Sequence, residues 1–337
     1  MGAIDRRQFM ASLALAGLAA SAGRAFAAEP APVAPPIRTG GVRLIDVDGR
    51  YKVWTKRVGA GRIKLLTLHG GPGCTHEYFE CFEDFLPAAG VEFYYYDQLG
   101  SAYSDQPQDA SLWTIPRFLA EVEQVRSALG LDEFYLYGHS WGGLLGIEYA
   151  LRYGRHLKGL VVSNMTASVK SYVAYIDELR AQLPAASQAI LAKYEKAGEY
   201  EAPEYQQVVF EQLYTRHLCR LDPWPDAVMR TFKHLAKPVY ETLQGNNEFV
   251  VTGTMKDWDR WGDLERIATP TLLLGARHDE IRPADMQRMG TLIPNSRVAI
   301  CENGSHLAMW DDQQAYFDHL LGFLRDVDAG RPIRSTT

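Results

Sequence analysis

Three side chains carry the chemistry this sequence most directly suggests: Ser140, Asp279 and His306. A serine hydroxyl is a poor nucleophile at its own pKa. It needs a base within hydrogen-bond reach and a third group to orient that base. Ser140 stands in Gly138-His139-Ser140-Trp141-Gly142, between an aromatic, strand-like run (134–137) and a helical run with few breakers from 144 onward. Glycines belong on both sides of such a serine, because a strained turn brings the two backbones too close for a Cβ. The turn exposes the hydroxyl and points the next N–H, that of Trp141, at a developing oxyanion. Asp279 follows the apolar run 271–275, and His306 follows the run 297–301. The chain order serine, acid, histidine, each of the last two placed just after a strand, gives Asp279 the orienting role and His306 the proton. His139 and His278 are rivals by type. One lies inside the turn and the other directly precedes Asp279, so both read as local supports. Serine rather than aspartate at position 140 favours acyl transfer from an ester or amide to water.

These groups need elements to position them. The buried run 63–68 leads straight into His69-Gly70-Gly71-Pro72-Gly73, and the Gly71 N–H is the candidate second oxyanion donor. Alternating segments at 41–47 and 51–55 predict an opening hairpin. Strand-like runs at 91–97 and 157–163 join those at 63–68, 134–137, 271–275 and 297–301. Helices are expected over 113–129, after Ser140, and over 311–327. Strands alternating with helices predict a mostly parallel sheet flanked by helices, with right-handed crossovers. From about 167 to 262 the rhythm breaks into helical stretches (169–182, 187–197, 203–219, 226–233) with no buried strand. The expected class is therefore α/β, an α/β-hydrolase fold: a core of 37–166 and 263–328, with a helical cap, 167–262, inserted in it.

A chain of 337 residues, 47% hydrophobic and 23% charged, suits one large domain with such an insertion. A net charge of −6, spread without long runs, makes a nucleic-acid partner unexpected. No stretch reaches the roughly 18 apolar residues of a membrane span, and there is no internal repeat. Residues 1–27 read as a removable segment: Arg6-Arg7, Phe9, an Ala/Gly-rich apolar run, and Ala25-Phe26-Ala27 are similar to a twin-arginine export signal. Residues 28–36 then form a Pro/Ala linker. That pattern predicts export to the periplasm, with the twin-arginine machinery as a transient partner. Cys74, Cys81, Cys219 and Cys301 lack the paired spacing of a zinc site. The spacing does not choose a pairing, and buried free thiols are the plainer expectation. No cofactor or metal is expected.

Several motifs together resemble one family. His69-Gly-Gly-Pro-Gly73, Asp97-Gln98-x-Gly100, the aromatic after Ser140 and Gly304-Ser-His306-Leu-x-Met-Trp310 resemble the proline iminopeptidases, α/β-hydrolase exopeptidases with a helical cap. The likeness runs from about 41 to 324 and is nearest the tricorn-associated branch. In that branch two glutamates hold the substrate's free α-ammonium group, and the matching positions here are Glu248 and Glu280. The resemblance implies a serine hydrolase that releases an N-terminal residue, proline favoured, from small peptides or amino-acid amides. An amidase acting on amino-acid amides or anilides without proline preference is the alternative. The complete triad argues against a binding protein on the same scaffold. Two features depart from the family: Gly100-Ser101-Ala102-Tyr103-Ser104 stands where many members carry Gly-x-Gly-Arg-Ser, and an export signal is unusual there.

Overall fold

The computed structural model describes residues 40–333, so the expected export signal and linker lie outside the described residues. The chain opens with the hairpin β1 (Val42–Val47) and β2 (Tyr51–Val58), then β3 (Ile63–Leu68) and β4 (Val91–Asp97). Helix α1 (Ile115–Leu129) starts two residues later than the periodicity predicts, because Thr114 caps it by accepting from the Arg117 N–H. Strand β5 (Phe134–His139) feeds helix α2 (Trp141–Tyr153), and β6 (Leu157–Ser163) completes the first half.

The insertion follows: α3 (Val169–Ala181), α4 (Ala185–Ala197), α5 (Pro203–Val209), α6 (Asp226–Lys233) and α7 (Lys237–Leu243). It differs from expectation in three ways. The predicted helix 203–219 is α-helical only to Val209 and continues as a π-helix, Phe210–Leu218. Helix α7 was masked in the sequence by Pro238, which sits in its first turn, where proline is tolerated. A small antiparallel ribbon, β7 (Gly245–Asn247) and β8 (Val250–Val251), stands where no strand was expected. These strands are too short to show a period of two.

The β/α rhythm resumes with β9 (Thr271–Ala276), α8 (Pro283–Leu292), β10 (Ser296–Cys301) and α9 (Gln313–Asp328). Eight strands form one sheet in the order β1-β2-β4-β3-β5-β6-β9-β10. Only the β1–β2 and β2–β4 pairs are antiparallel; the others run parallel. Parallel strands covered by helices should be apolar on both faces, and β5 and β9 are buried along their whole length. All four cysteines are buried free thiols. Among the described residues no helix is long and apolar enough to cross a membrane.

The insertion is bound to the core at the places that matter for the site. Arg230 on α6 reaches Glu77 (2.7 Å) and Glu80 (2.5 Å) of the segment His76–Asp84, and Thr231 Oγ1 accepts the Tyr78 N–H (3.0 Å). At the insertion's base, Trp258 Nε1 and Arg260 Nε both donate to Glu148 on α2.

Candidate active site

Ser140 joins β5 to α2 at φ 53°, ψ −124°, a conformation that L-residues avoid and that persists only where the surroundings enforce it. The enforcement is visible in the two glycines. A Cβ on Gly138 would sit 2.0 Å from the Gly142 carbonyl oxygen, and one on Gly142 would sit 2.1 Å from that of Leu68. No larger residue permits this crossing of strand and helix.

The second loop is braced by Gln98, whose Nε2 donates to the His69 carbonyl (3.0 Å) while its Oε1 accepts from Trp141 Nε1 (2.9 Å). His69 Nε2 accepts the Gln98 N–H, so Nδ1 is the protonated nitrogen and donates to the Gly70 carbonyl. Burial holds this ring neutral, its pKa pushed down to about 4. The Asp97-Gln98 motif thus ties the two loops together. Within the glycine loop, the Gly70 N–H is taken by Tyr78 Oη (2.7 Å). Among the described residues no acceptor engages the N–H groups of Gly71 or Trp141, the latter an unpaired donor of the first helical turn. Both are free to face an oxyanion.

His306 and Asp279 meet as the chain order predicts. His306 Nδ1 donates to Asp279 Oδ1 (2.8 Å), which turns Nε2 toward the cavity. Asp279 Oδ1 also accepts the Ile281 N–H (3.0 Å), and Oδ2 accepts from Asn164 Nδ2 (2.7 Å). Asn164 is buried at φ 52° and was missed in the sequence. Since its amide NH₂ faces a carboxylate, its Oδ1 must accept, and it does so from Ser163 Oγ (2.7 Å). That uses the only Ser163 proton, so Tyr316 donates to Ser163 (2.8 Å) and Tyr137 in turn donates to Tyr316. Four groups therefore point their donors, one after another, at the Asp279 carboxylate.

His139 is a support, as read. Burial drives its pKa well below the ordinary value, so the ring is neutral. Nε2–H donates to the His306 carbonyl (2.8 Å), and Nδ1 accepts from Tyr78 Oη (3.1 Å). Tyr78, also unforeseen, links the glycine loop to the histidine loop. The insertion holds that loop from the other side: the His306 and Leu307 N–H groups donate to the His217 and Leu218 carbonyls, both at 2.9 Å. The His278 carbonyl accepts from His217 Nδ1 (3.0 Å), which keeps that histidine's role local.

Ser140 and His306 line one cavity of about 360 Å³ with Gly70, Gly71, Tyr78 and Glu248. They share its wall without a hydrogen bond between them, and bonds of that kind often tighten only when substrate engages. A second cavity of about 680 Å³ adjoins it and shares Cys74, Phe232 and Glu248.

The two glutamates converge on this site from different elements. Glu248 sits in the turn of the β7–β8 ribbon, and Oε1 accepts from Tyr240 Oη (2.8 Å). Glu280 follows Asp279 directly. Tyr172 Oη lies 2.7 Å from the Glu248 carbonyl oxygen and 3.2 Å from Glu280 Oε1, bridging the pair. Glu248 is 9% exposed and Glu280 1%, and Glu280 Oε2 has no partner among the described residues. Burial raises both carboxyls above their usual range, Glu280 the more strongly, with His306 opposing. For His306, burial pulls the imidazolium down, but the Glu280 and Asp279 carboxylates more than offset it and hold the group at about 9. The arrangement brings together a serine hydroxyl on a strained turn, an imidazole paired with a carboxylate, two free N–H donors and a buried acidic cluster with an unused acceptor.

Comparison with known proteins agrees with this geometry. Residues 64–313 match the α/β hydrolase fold. A proline iminopeptidase of Elizabethkingia meningoseptica is 48% identical over 285 residues, covering 83% of this chain and 96% of that one. The crystal structure of a Mycobacterium smegmatis proline iminopeptidase superposes with a TM-score of 0.79 at 32% identity, over 86% of this chain and 99% of that one. The crystal structure of a protein called VinJ gives 0.82 at 34% identity over the same shares. The chain therefore belongs to the α/β hydrolases and, within them, to the proline iminopeptidase family.

Proposed function

We propose that the protein is a serine aminopeptidase that releases an N-terminal residue, proline favoured, from short peptides and amino-acid amides through an acyl-enzyme on Ser140. The observation that carries the substrate class is the buried Glu248–Glu280 pair, with Glu248 in the wall of the Ser140 cavity, Glu280 against His306 and an acceptor oxygen left over. A substrate ammonium supplies the missing charge and donors, and charge-assisted contacts of this kind are short and strong. A blocked amine would leave a buried carboxylate without a partner, which is costly. That requirement, with relatives named proline iminopeptidase, disfavours an amidase indifferent to the free amine.

In this account Ser140 Oγ attacks the scissile carbonyl carbon and His306 Nε2 takes the hydroxyl proton. The Gly71 and Trp141 N–H groups hold the oxyanion, each donor contributing roughly 10²–10³ in rate. As the C–N bond breaks, His306 returns the proton to the leaving nitrogen. Water then repeats the sequence on the acyl-enzyme, and Asp279 stabilises the imidazolium throughout. The N-terminal segment extends the proposal: residues 1–27 would route the protein through twin-arginine export to the periplasm, with 28–36 as linker, 167–262 as cap, and 37–166 with 263–328 as catalytic core.

Incubation with a proline-led tripeptide, followed by mass spectrometry, tests the reading. Free proline and an intact dipeptide should form with the wild-type chain. Ser140→Ala should lower the rate by about 10⁶ while leaving circular dichroism unchanged. Retained turnover in the alanine variant would remove the nucleophile assignment.

A further inference from the structure

The His306 ring is held between two carboxylates. Nδ1 lies 2.8 Å from Asp279 Oδ1, and Nε2, the nitrogen that must serve Ser140, lies 3.7 Å from Glu280 Oε1. Glu248 adds a further carboxylate from the ribbon, and the neutral His139 ring packs against His306, 4.7 Å away between centroids. His306 is 3% exposed, so water does little to screen these charges. A base in this setting keeps its proton, and an imidazolium cannot accept the one on Ser140 Oγ.

We propose that the substrate's ammonium group is the switch that frees the general base. This rests on the aminopeptidase reading above. Arriving between Glu248 and Glu280, the ammonium pairs with the carboxylate that Nε2 faces. The Nε2 proton is then lost to solvent, and Nε2 is left with its lone pair available to Ser140. One proton leaves, no bond to carbon is made, and Glu280, whose pKa burial raises, is kept ionised first by the His306 imidazolium and then by the ammonium. Only after this does the Ser140 proton pass to Nε2 as the Oγ–C bond forms. Glu280 thus acts twice, as an anchor for the amine and as a lock on the base when no amine is present. The free N-terminus contributes to turnover as well as to binding, and at neutral pH the serine reacts slowly with acyl compounds that lack a cation. The uncommitted Glu280 Oε2 and the bridging Tyr172 hydroxyl fit this exchange of partners.

p-Nitrophenyl acetate, an acyl donor without an amine, separates locking from anchoring. At pH 7 Glu280→Gln should acylate with it at least about tenfold faster than wild type, because removing the facing carboxylate lowers the His306 pKa. The same variant should lose about 100-fold in kcat/KM on prolyl p-nitroanilide. A slower or unchanged reaction with the acetate would overturn the lock, since a residue that only anchors or only supports the fold gives no gain. The wild-type protein provides a second measurement that does not depend on the variant folding. Its acylation by p-nitrophenyl acetate should reach half-maximum near pH 9, and kcat for prolyl p-nitroanilide at least about one pH unit lower. Equal midpoints would refute the switch. Failure of wild type to cleave the prolyl anilide, with the acetate results intact, would count against the aminopeptidase reading alone.

Discussion

Asp279 shows how a residue read from the sequence depends on one that was not. Its position after β9 was legible because a strand, a loop and an acid are adjacent in the chain. Its environment was not, since Asn164 donates to it from 115 positions away. Asn164 has the features of a positioning residue: left-handed φ, full burial, and both amide atoms engaged. A hydrogen bond to a charged group is worth about 1.5–3 kcal/mol. Asn164→Ala should therefore lower kcat by about 10–100-fold while KM stays within about twofold. Asn164→Asp should retain more activity at low pH, where its carboxyl keeps a proton to donate, and lose it as pH rises and two carboxylates face each other. A kcat unaffected by alanine, or no pH dependence in the aspartate variant, would show the amide to be dispensable. Tyr78, Tyr172 and Tyr240 were illegible for the same reason. An aromatic in a helix or a short turn reads as core until its hydroxyl is found on Gly70, Glu280 or Glu248.

At the scale of elements, the strands and the turn around Ser140 were readable because their signals are local: continuous apolar runs and glycines at fixed offsets. The insertion was readable mainly as a loss of rhythm. Its ribbon offers too few residues for any period, yet it is the element that delivers Glu248. The π-helix Phe210–Leu218 continues an ordinary helical pattern and is set by tertiary contacts, with its last carbonyls spent on the His306 loop. The loop after β4 departs from the family where Ala102 sits at φ 34°, in the region that favours glycine. Ala102→Gly should stabilise the protein by about 1 kcal/mol, because the relieved strain exceeds the added unfolded-state entropy. Calorimetry should show Tm rising by about 2 °C. A fall in Tm would mean that the Ala102 side chain contributes more than its backbone costs.

Across the whole molecule, the core supplies Ser140, His306 and the Gly71 and Trp141 N–H groups, the proposed nucleophile, base and oxyanion donors, and the insertion supplies Glu248 and the carbonyls that hold the histidine loop. Neither part makes the site alone. Glu248 and Glu280, 32 residues apart in sequence on two different elements, meet only because the insertion docks on the core through Arg230, Thr231 and the 217–218 backbone. On the proposed function that convergence selects a cationic end, so the free amine is the feature of the substrate that the proposal stands on. Its most direct test is kcat/KM on prolyl p-nitroanilide against N-acetylprolyl p-nitroanilide, which differ only at the amine. Leaving a buried charge unpaired costs about 3–5 kcal/mol, so the free-amine compound should be preferred by at least about 10². Comparable cleavage of the two would contradict the account, keeping the serine and its triad but removing the amine from recognition.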